Sequence, residues 1–266
     1  MSEIPLILVP DADDPDGAEL HVDGAIGNEA YRFLFDTGAA KTSVHTDDYL
    51  AGFPAIDTHR SSGVFAPSSE DLITVPSITV GAISKRDFTL VRSSAQSGRP
   101  ISLIGMDLLK DYRLHFVFDQ KRVLVDEDVQ PDYPLQTLTM DQRFHPYVEV
   151  QFDGAAGQAV WDTGASITIV DLTFAQNHPA LFEEIGQSMG TDSTGAQMQT
   201  PLVRVAVSQI GGCEFAAHKA AVVDLSAANA ALAIPMNLII GYPLYRQANW
   251  YFDFPHRKWA ISKRLV

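Results

Sequence analysis

The sequence has a single cysteine and few basic residues for its size. Cys213 alone can form neither an intramolecular disulfide nor a cysteine-based zinc cluster, and we expect it to be a small buried residue. Lys and Arg number 19 against 33 Asp and Glu, which gives a net charge of −14. Nucleic acids and anionic membrane surfaces require a basic patch, so the composition argues against both as partners.

Long apolar runs are also missing. The first residues, "MSEIPLILVPDADD", have no basic residues ahead of a short apolar run, so we predict no signal peptide. The most apolar later stretch, "AANAALAIPMNLIIG", is interrupted by Asn229, Pro235 and Asn237 and is too short to span a bilayer. We therefore expect a soluble protein, cytoplasmic as given, or periplasmic if a signal was removed ahead of Met1.

Several catalytic motifs are absent as well. No Gly-x-Ser-x-Gly elbow of a serine hydrolase occurs, and neither a P-loop nor Gly-x-Gly-x-x-Gly indicates a nucleotide. The histidines are scattered, and no Asp-x-Asp or histidine cluster supplies the ligands that a carboxylate metal site needs. We expect no metal and no cofactor.

What the sequence does contain is a long internal repeat. "FLFDTGAA" (33–40) and "AVWDTGAS" (159–166) place Asp36 and Asp162 126 residues apart (162 − 36), close to half of the chain. Each half carries a second signature further on, "LIGMDLL" around Gly105 and "IIGYPLY" around Gly241. Two such motifs at equivalent places in a repeat are hard to obtain by chance.

The residues around the motifs predict an all-β fold with a few short helices. A pair of short strands with a glycine turn precedes each aspartate, and alternating strands follow it. We predict an N-terminal lobe at 1–127, an acidic, proline-containing linker at 128–137 and a C-terminal lobe at 138–266. We expect six to seven strands in each half, a short helix after each glycine signature and a further helix over 173–186.

The two aspartates pose a chemical problem that suggests their role. A carboxylate at the end of a buried strand needs hydrogen-bond donors, which a tight turn at the next glycine can provide. If the halves pack about a pseudo-two-fold axis, Asp36 and Asp162 meet and share one proton. Such a pair holds an acid and a base on a single water molecule, which suits attack on a peptide carbonyl.

These motifs resemble those of aspartic proteases of the pepsin and retropepsin clan, twice over nearly the whole chain. The resemblance implies a bilobed fold with catalytic Asp36 and Asp162 and an endopeptidase that uses water, without metal, cofactor or covalent intermediate. It also implies supporting roles for the residues that surround the aspartates and for the glycine motif beneath them: Thr37, Gly38, Ala39, Thr163, Gly164, Ala165, Ile104, Gly105, Ile240 and Gly241.

The length of each half and the alanines at 39 and 165 resemble retropepsins more than pepsins. Pepsin-like enzymes usually carry Ser or Thr at these two places, where the hydroxyl donates to the catalytic carboxylate. Without those donors the pair should be less acidic, so we expect activity at mildly acidic to neutral pH. Because both aspartates are in one chain, a monomer suffices, with an extended polypeptide as substrate.

Two loops are candidates for the flaps that close over substrate in this family. They are "RSSGVFAPSSED", with Gly63 and Phe65, and "GTDSTGAQMQTP", with Gly195; the alternative is that both are ordinary surface loops. We expect "PLILV" and "KWAISKRLV" to be strands that bridge the lobes beneath the cleft.

Other residues near the motifs have simpler interpretations. We expect Asp107, Asp119 and Asp253 to cap helices or turns. Lys41 follows the first loop where Ile167 follows the second, which predicts different subsites on the two sides. The alternative to an enzyme is a catalytically silent member of the same fold that binds a peptide or protein.

Overall fold

The computed structural model describes residues 2–11, 14–62, 67–93, 101–191 and 196–265. The chain is mostly β-strand, as predicted. In the first part, the strands are β1 Glu3–Pro5, β2 Ile7–Pro10, β3 Ala18–Ile26, β4 Glu29–Phe35, β5 Ser43–His45, β6 Asp57–Ser62, β7 Pro67–Val80, β8 Ile83–Ser93, β9 Leu103–Ile104, β10 Arg113–Val117 and β11 Arg122–Val125. Helix α1 is Met106–Leu109, and 3-10 turns cover Leu50–Gly52 and Phe118–Gln120.

The second part repeats this mixture of hairpins and short helices. Its strands are β12 Gln136–Thr137, β13 Thr139–Met140, β14 Pro146–Phe152, β15 Ala155–Trp161, β16 Thr168–Asp171, β17 Phe182–Thr191, β18 Gln197–Val205, β19 Ser208–Ile210, β20 Cys213–Phe215, β21 His218–Val223, β22 Leu238–Ile240, β23 Ala248–Asp253 and β24 Lys258–Arg264. The helices are α2 Leu172–Asn177, α3 Ser226–Asn229 and α4 Tyr242–Tyr245, with a 3-10 turn at Pro179–Leu181.

The strands form three sheets. An eight-stranded sheet has the order β2-β3-β4-β9-β5-β8-β7-β6, so all of its strands come from the first part of the chain. A ten-stranded sheet has the order β17-β18-β21-β16-β22-β15-β14-β19-β20, with β13 against β14, all from the second part. A six-stranded sheet, β1-β11-β10-β23-β24-β12, joins strands from both.

Two hairpins deliver the motif aspartates. Strands β3 and β4 are joined by the two residues Gly27 and Asn28, and β14 and β15 by Asp153 and Gly154. Both glycines have positive φ, which two-residue hairpin turns require. Each hairpin's second strand ends one residue before an aspartate and pairs in parallel with the short strand of the glycine signature, β4 with β9 and β15 with β22.

The six-stranded sheet ties the first and second parts of the chain together. Its central contact is the antiparallel pair β10 and β23, with Phe116 opposite Trp250. Of the two segments predicted to bridge the lobes, "KWAISKRLV" forms β24 and lies in this sheet. The prediction for "PLILV" was wrong, because only Pro5 belongs to β1 and residues 7–9 lie in β2 of the eight-stranded sheet. The segment predicted as a linker contributes β12, whose Gln136 lies opposite Trp259.

The core of the molecule is centred on Trp161, the residue before Asp162. Its fully buried ring packs against those of Phe116, at 4.8 Å between centroids, and Phe252, at 4.6 Å. Trp250 and Tyr245 lie 5.6 Å away. Aromatic rings from both parts of the chain therefore fix the end of β15 and, with it, the point where Asp162 leaves the strand.

Two predictions about secondary structure were wrong. The helix expected over 173–186 ends at Asn177, because Pro179 cannot continue it, and Phe182–Thr191 forms a strand paired with β18. The number of strands also exceeds six to seven in each half. Strands of two or three residues, such as β9 and β12, are too short to show an alternating pattern. The short helices predicted after Gly105 and Gly241 are confirmed as α1 and α4. No helix in the described ranges is long and apolar enough to cross a membrane.

The packing of Trp161 generates a stability prediction. Trp161→Ala should lower the free energy of unfolding by about 3–5 kcal/mol, because it leaves a cavity in a fully buried core. Trp161→Phe should cost clearly less, since the buried indole N–H has no partner among the described residues. Urea denaturation of both variants measures the difference. If both variants lost the same free energy of unfolding, an aromatic ring at position 161 would not stabilise this core.

Candidate active site

Asp36 and Asp162 are brought together, each with its carboxyl group against the glycine of the other motif. Each aspartate immediately follows a buried strand, and its backbone N–H donates to the carbonyl of the glycine signature's isoleucine. The distances are 3.0 Å from Asp36 N to Ile104 O and 3.1 Å from Asp162 N to Ile240 O. The predicted motif residues Ile104 and Ile240 thus anchor the two aspartates.

The glycines after the aspartates allow this approach. Gly38 N–H donates to Asp36 Oδ1 at 2.9 Å, and Gly164 N–H donates to Asp162 Oδ1 at 2.8 Å. A Cβ on either glycine would lie 2.4 Å from the carboxyl carbon of the opposite aspartate. Any side chain at these two places would therefore push the carboxyl groups apart.

The threonine between the aspartate and the glycine of each motif locks the two loops together. Thr37 Oγ1 donates to Trp161 O at 2.8 Å, and Thr163 Oγ1 donates to Phe35 O at 2.6 Å. Each hydroxyl also accepts from the other threonine's backbone N–H, at 3.1 Å in both directions. Both side chains are fully buried, so these bonds are shielded from water.

The glycine signatures lie against the same loops. A Cβ on Gly105 would lie 2.8 Å from Ala39 O, and one on Gly241 would lie 2.3 Å from Ile167 O. The next residue of each signature donates to the loop: the N–H of Met106 to Ala39 O at 2.8 Å, and that of Tyr242 to Ala165 O at 3.0 Å. The alanines at 39 and 165 therefore support the loops through their carbonyl groups.

Sequence reasoning missed two threonines that complete this support. Thr42 Oγ1 accepts from Gly105 N at 3.1 Å, and Thr168 Oγ1 accepts from Gly241 N at 3.2 Å. Both are buried. A signal was present, because each threonine stands six residues after its aspartate. Sequence reasoning also missed Tyr245, whose buried hydroxyl donates to Thr163 O at 3.4 Å.

The electrostatics of the pair are asymmetric. Burial raises the pKa of Asp36 well above its usual range, and the charge of Asp162 and the hydrogen bond to Asp162 raise it further. Burial also raises the pKa of Asp162, but hydrogen bonds from Gly164 and Asp36 oppose that effect. Asp162 is also the less buried of the two. Burial therefore favours a proton on the pair.

The three other aspartates have different surroundings. Asp107 was predicted to be a cap, but its Oδ1 accepts from the N–H and hydroxyl of Thr42, at 2.9 and 2.7 Å. Asp119 was also predicted to be a cap, and instead it accepts from Asn249 and Lys263, both at 2.9 Å. Both predictions were wrong because the partners are distant in sequence. Asp253 accepts from His256 N at 3.1 Å in the turn before β24, as predicted.

Different residues follow the two loops, Lys41 after the first and Ile167 after the second, and Lys41 lies near a charged group. Lys41 Nζ lies 4.0 Å from Asp107 Oδ2, whereas Ile167 packs against a small apolar cluster that includes Val160 and Ile239. The described residues contain no group of three or more His, Cys, Asp or Glu side chains arranged to hold a metal ion.

The two strands that flank each predicted flap segment pair with each other in antiparallel orientation. Strand β6 pairs with β7 up to Ser62 opposite Pro67, and β17 pairs with β18 up to Thr191 opposite Gln197. The residues singled out at the turns, Gly63, Phe65 and Gly195, lie outside the described residues.

The threonine lock generates a prediction. Thr163→Val should lower the free energy of unfolding by roughly 2–4 kcal/mol, because the carbonyl of Phe35 and the N–H of Thr37 lose their buried partner. Thr163→Ser keeps the hydroxyl and should cost much less. Denaturant titration compares the two variants, and a Ser variant as unstable as the Val variant would assign the loss to packing instead.

Comparison with known proteins adds independent evidence. A search of curated proteins found no match. Residues 148–244 match a family model described as aspartyl protease, a span that contains Asp162, Thr163, Gly164 and the signature around Gly241. The match supports an aspartyl protease family, and with it a hydrolase that acts on polypeptides.

Proposed function

We propose that the protein is an aspartic endopeptidase in which Asp36 and Asp162 together activate one water molecule. The observation that carries this proposal is the reciprocal placement of two buried carboxyl groups, one from each repeated motif: a Cβ on Gly38 would lie 2.4 Å from the carboxyl carbon of Asp162, and one on Gly164 would lie 2.4 Å from that of Asp36. Two carboxylates in contact cannot both ionise at low cost, so the pair shares one proton. A protonated and an ionised carboxyl side by side are an acid and a base for the same reaction.

The reaction then proceeds in two steps. Asp162 takes a proton from water as the water oxygen attacks the peptide carbonyl carbon, while Asp36 gives its proton to the carbonyl oxygen. The product is a neutral tetrahedral diol. Asp162 next gives its proton to the amide nitrogen, Asp36 recovers a proton from a diol hydroxyl, and the C–N bond breaks. The products are an acid and an amine, and both aspartates return to their starting states.

We further propose that the chain consists of two retropepsin-like lobes, 1–127 and 138–266, joined by 128–137 and related by a pseudo-two-fold axis. The reciprocal contacts support this: the aspartates, threonines, loop glycines and signature glycines of one motif each have a counterpart in the other. With both aspartates in one chain, a monomer is sufficient for activity.

The substrate in this proposal is an extended polypeptide that lies across the pair. The hairpins β6–β7 and β17–β18 would cover it as flaps, with Gly63, Phe65 and Gly195 at their tips, and hydrogen-bond to it as to an added strand. Hairpin β17–β18 carries two exposed apolar side chains, Met189 at 59% and Met198 at 47% exposure. Such side chains adapt to substrates of different shape.

Substitution of either aspartate tests the chemistry. Asp36→Asn and Asp162→Asn should each lower peptide cleavage by at least about 10³-fold, because the pair loses either its acid or its base. New termini in a complex peptide library, detected by mass spectrometry across a range of pH, measure the activity. The exposed Asp23→Asn is the matched control and should retain full activity.

The outcomes discriminate between an enzyme and a binding protein. Cleavage that persists in Asp36→Asn would overturn the proposed mechanism. A folded protein that cleaves nothing at any pH would favour the catalytically silent, peptide-binding alternative. Thermal protection by pepstatin or a retropepsin inhibitor would then show whether the site still binds peptide-like ligands.

The pH dependence follows from the raised pKa values of both aspartates. The active form carries one proton, so activity rises as Asp162 ionises and falls as Asp36 ionises. Because burial raises both pKa values, both limbs of the profile move to higher pH than unperturbed carboxyl groups would give. We expect maximal cleavage at mildly acidic to neutral pH, measured as kcat/KM against pH.

Variants that add hydroxyl donors to the two loops test this prediction in the opposite direction. Ala39→Ser and Ala165→Ser add a donor beside each loop and should move the profile to lower pH, because hydrogen bonds to a carboxylate favour its charged form. A wild-type profile with its only maximum at about pH 2 would contradict the expectation, since that optimum requires carboxyl groups more acidic than these.

A further inference from the structure

The two hairpins that lead to the aspartates carry different ionisable residues at equivalent places. In the pair β14 and β15, the last paired residues at this end are Tyr147 and Val160, and His145 and Asp162 each lie two residues beyond them. In the pair β3 and β4, the last paired residues are His21 and Leu34, and Glu19 and Asp36 each lie two residues beyond them. Equivalent places in the two hairpins therefore hold a base on one side and an acid on the other.

The ring of His145 is held firmly. Its Nδ1 lies 2.7 Å from Asp141 Oδ2, and its backbone N–H donates to Asp141 Oδ1 at 3.0 Å. The N–H of Arg143 donates to the same oxygen at 2.8 Å. The side chains of His145 and Asp141 are only 12% and 4% exposed. Burial would raise the pKa of Asp141, but these hydrogen bonds and the histidine's charge outweigh it and lower the pKa. Asp141 is thus a fixed negative partner for the ring.

The loop around Asp141 and His145 is built to position this ring. Phe144 adopts a positive φ of 67°, which is uncommon for a bulky residue. Its ring is covered by Lys110 Nζ, 5.0 Å from the centroid, at the end of α1. The loop is therefore fixed from the first part of the chain as well as by Asp141.

The charge of His145 acts on Asp162. A positive charge on the ring lowers the pKa of Asp162, against the effect of burial. Other charged or titratable groups on the elements around this place include Asp36 after β4, Glu19 on β3, Tyr147 on β14, Asp107 in α1, Lys110 after α1, Arg143 in the same loop and Tyr245 in α4. Glu19 pairs with His21 at 3.1 Å, Asp107 accepts from Thr42, and Lys110 Nζ donates to Asp111 at 3.2 Å.

We propose that His145, fixed by Asp141, is a positioning residue that keeps Asp162 ionised and leaves the shared proton on Asp36. This inference rests on the proposed function. The two loops carry the same Thr, Gly and Ala residues, so the loops alone give little preference for a proton on one aspartate over the other. The base beside Asp162 and the acid beside Asp36 supply that reason. Asp162 is then the base and Asp36 the acid at the start of every turnover.

The pH–rate profile tests this role. His145→Gln removes the charge and should move the acidic limb of kcat/KM up by about half to one pH unit, because Asp162 then takes up a proton more readily. Asp141→Asn should move it in the same direction, since the ring loses the partner that fixes its position. His145→Lys restores a positive charge and should return the limb toward that of the wild type.

The equivalent place in the first hairpin supplies the matched control. Glu19→Gln also removes one charge beside the pair and should not move the acidic limb upward. An upward shift of equal size in Glu19→Gln and His145→Gln would overturn the proposal, because it would indicate general disturbance of the loops. An unchanged limb in a folded His145→Gln variant would overturn it as well.

A measurement without turnover separates this inference from the proposed function. In protein labelled with ¹³C at the aspartate carboxyl carbons, Asp36→Asn and Asp162→Asn assign the two signals, and NMR follows their titration. We expect Asp162 to ionise first in the wild type and at a higher pH in His145→Gln. A wild type that cleaves no peptide but shows this shift would overturn the proposed function alone. An Asp162 titration unaffected by His145→Gln would overturn the role of His145.

Discussion

The rest of the structure depends on the contact between two carboxyl groups at the ends of two buried strands. Burial disfavours the charge on each group, and proximity disfavours charge on both at once. The contact is stable only if donors reach the carboxyl oxygens and one proton stays. The backbone N–H groups of Gly38 and Gly164 supply the donors, and both glycines lack the Cβ that would separate the acids. The threonine lock beneath them prevents the loops from moving apart.

The sequence predicts the motif residues around the two aspartates better than it predicts the residues that support them from distant parts of the chain. Asp36, Asp162 and the Thr and Gly residues beside them could be found because each acts within its own short loop and the pattern occurs twice. Thr42, Thr168 and the role of Asp107 depend on contacts more than sixty residues apart, Thr42 with Gly105 and Asp107, and Thr168 with Gly241. The helix expected over 173–186 ends at Asn177 before Pro179, and the later part of that segment instead pairs with the distant strand β18.

His145 shows the same limit for the electrostatics of the site. In the sequence it is one of eight histidines, without a motif around it. Its relation to Asp162 comes only from the register of β14 against β15, and its fixed ring comes from Asp141 four residues earlier. Register depends on hairpin turns and on which face of each strand is buried, so one step of error in either would have placed a different residue there.

A single chain permits an asymmetry that two identical chains do not. In a strictly two-fold dimer, the residue beside one aspartate is identical to the residue beside the other, so the surroundings alone cannot decide where the proton lies. In the arrangement we propose, the two loops share one chain but not one sequence: His145 stands where the other hairpin has Glu19, and Ile167 stands where the other loop has Lys41. The motif residues, which must match for the carboxyl groups to meet, are the same in both loops. The flanking residues, which need not match, differ in charge and can therefore assign different roles to two chemically identical acids.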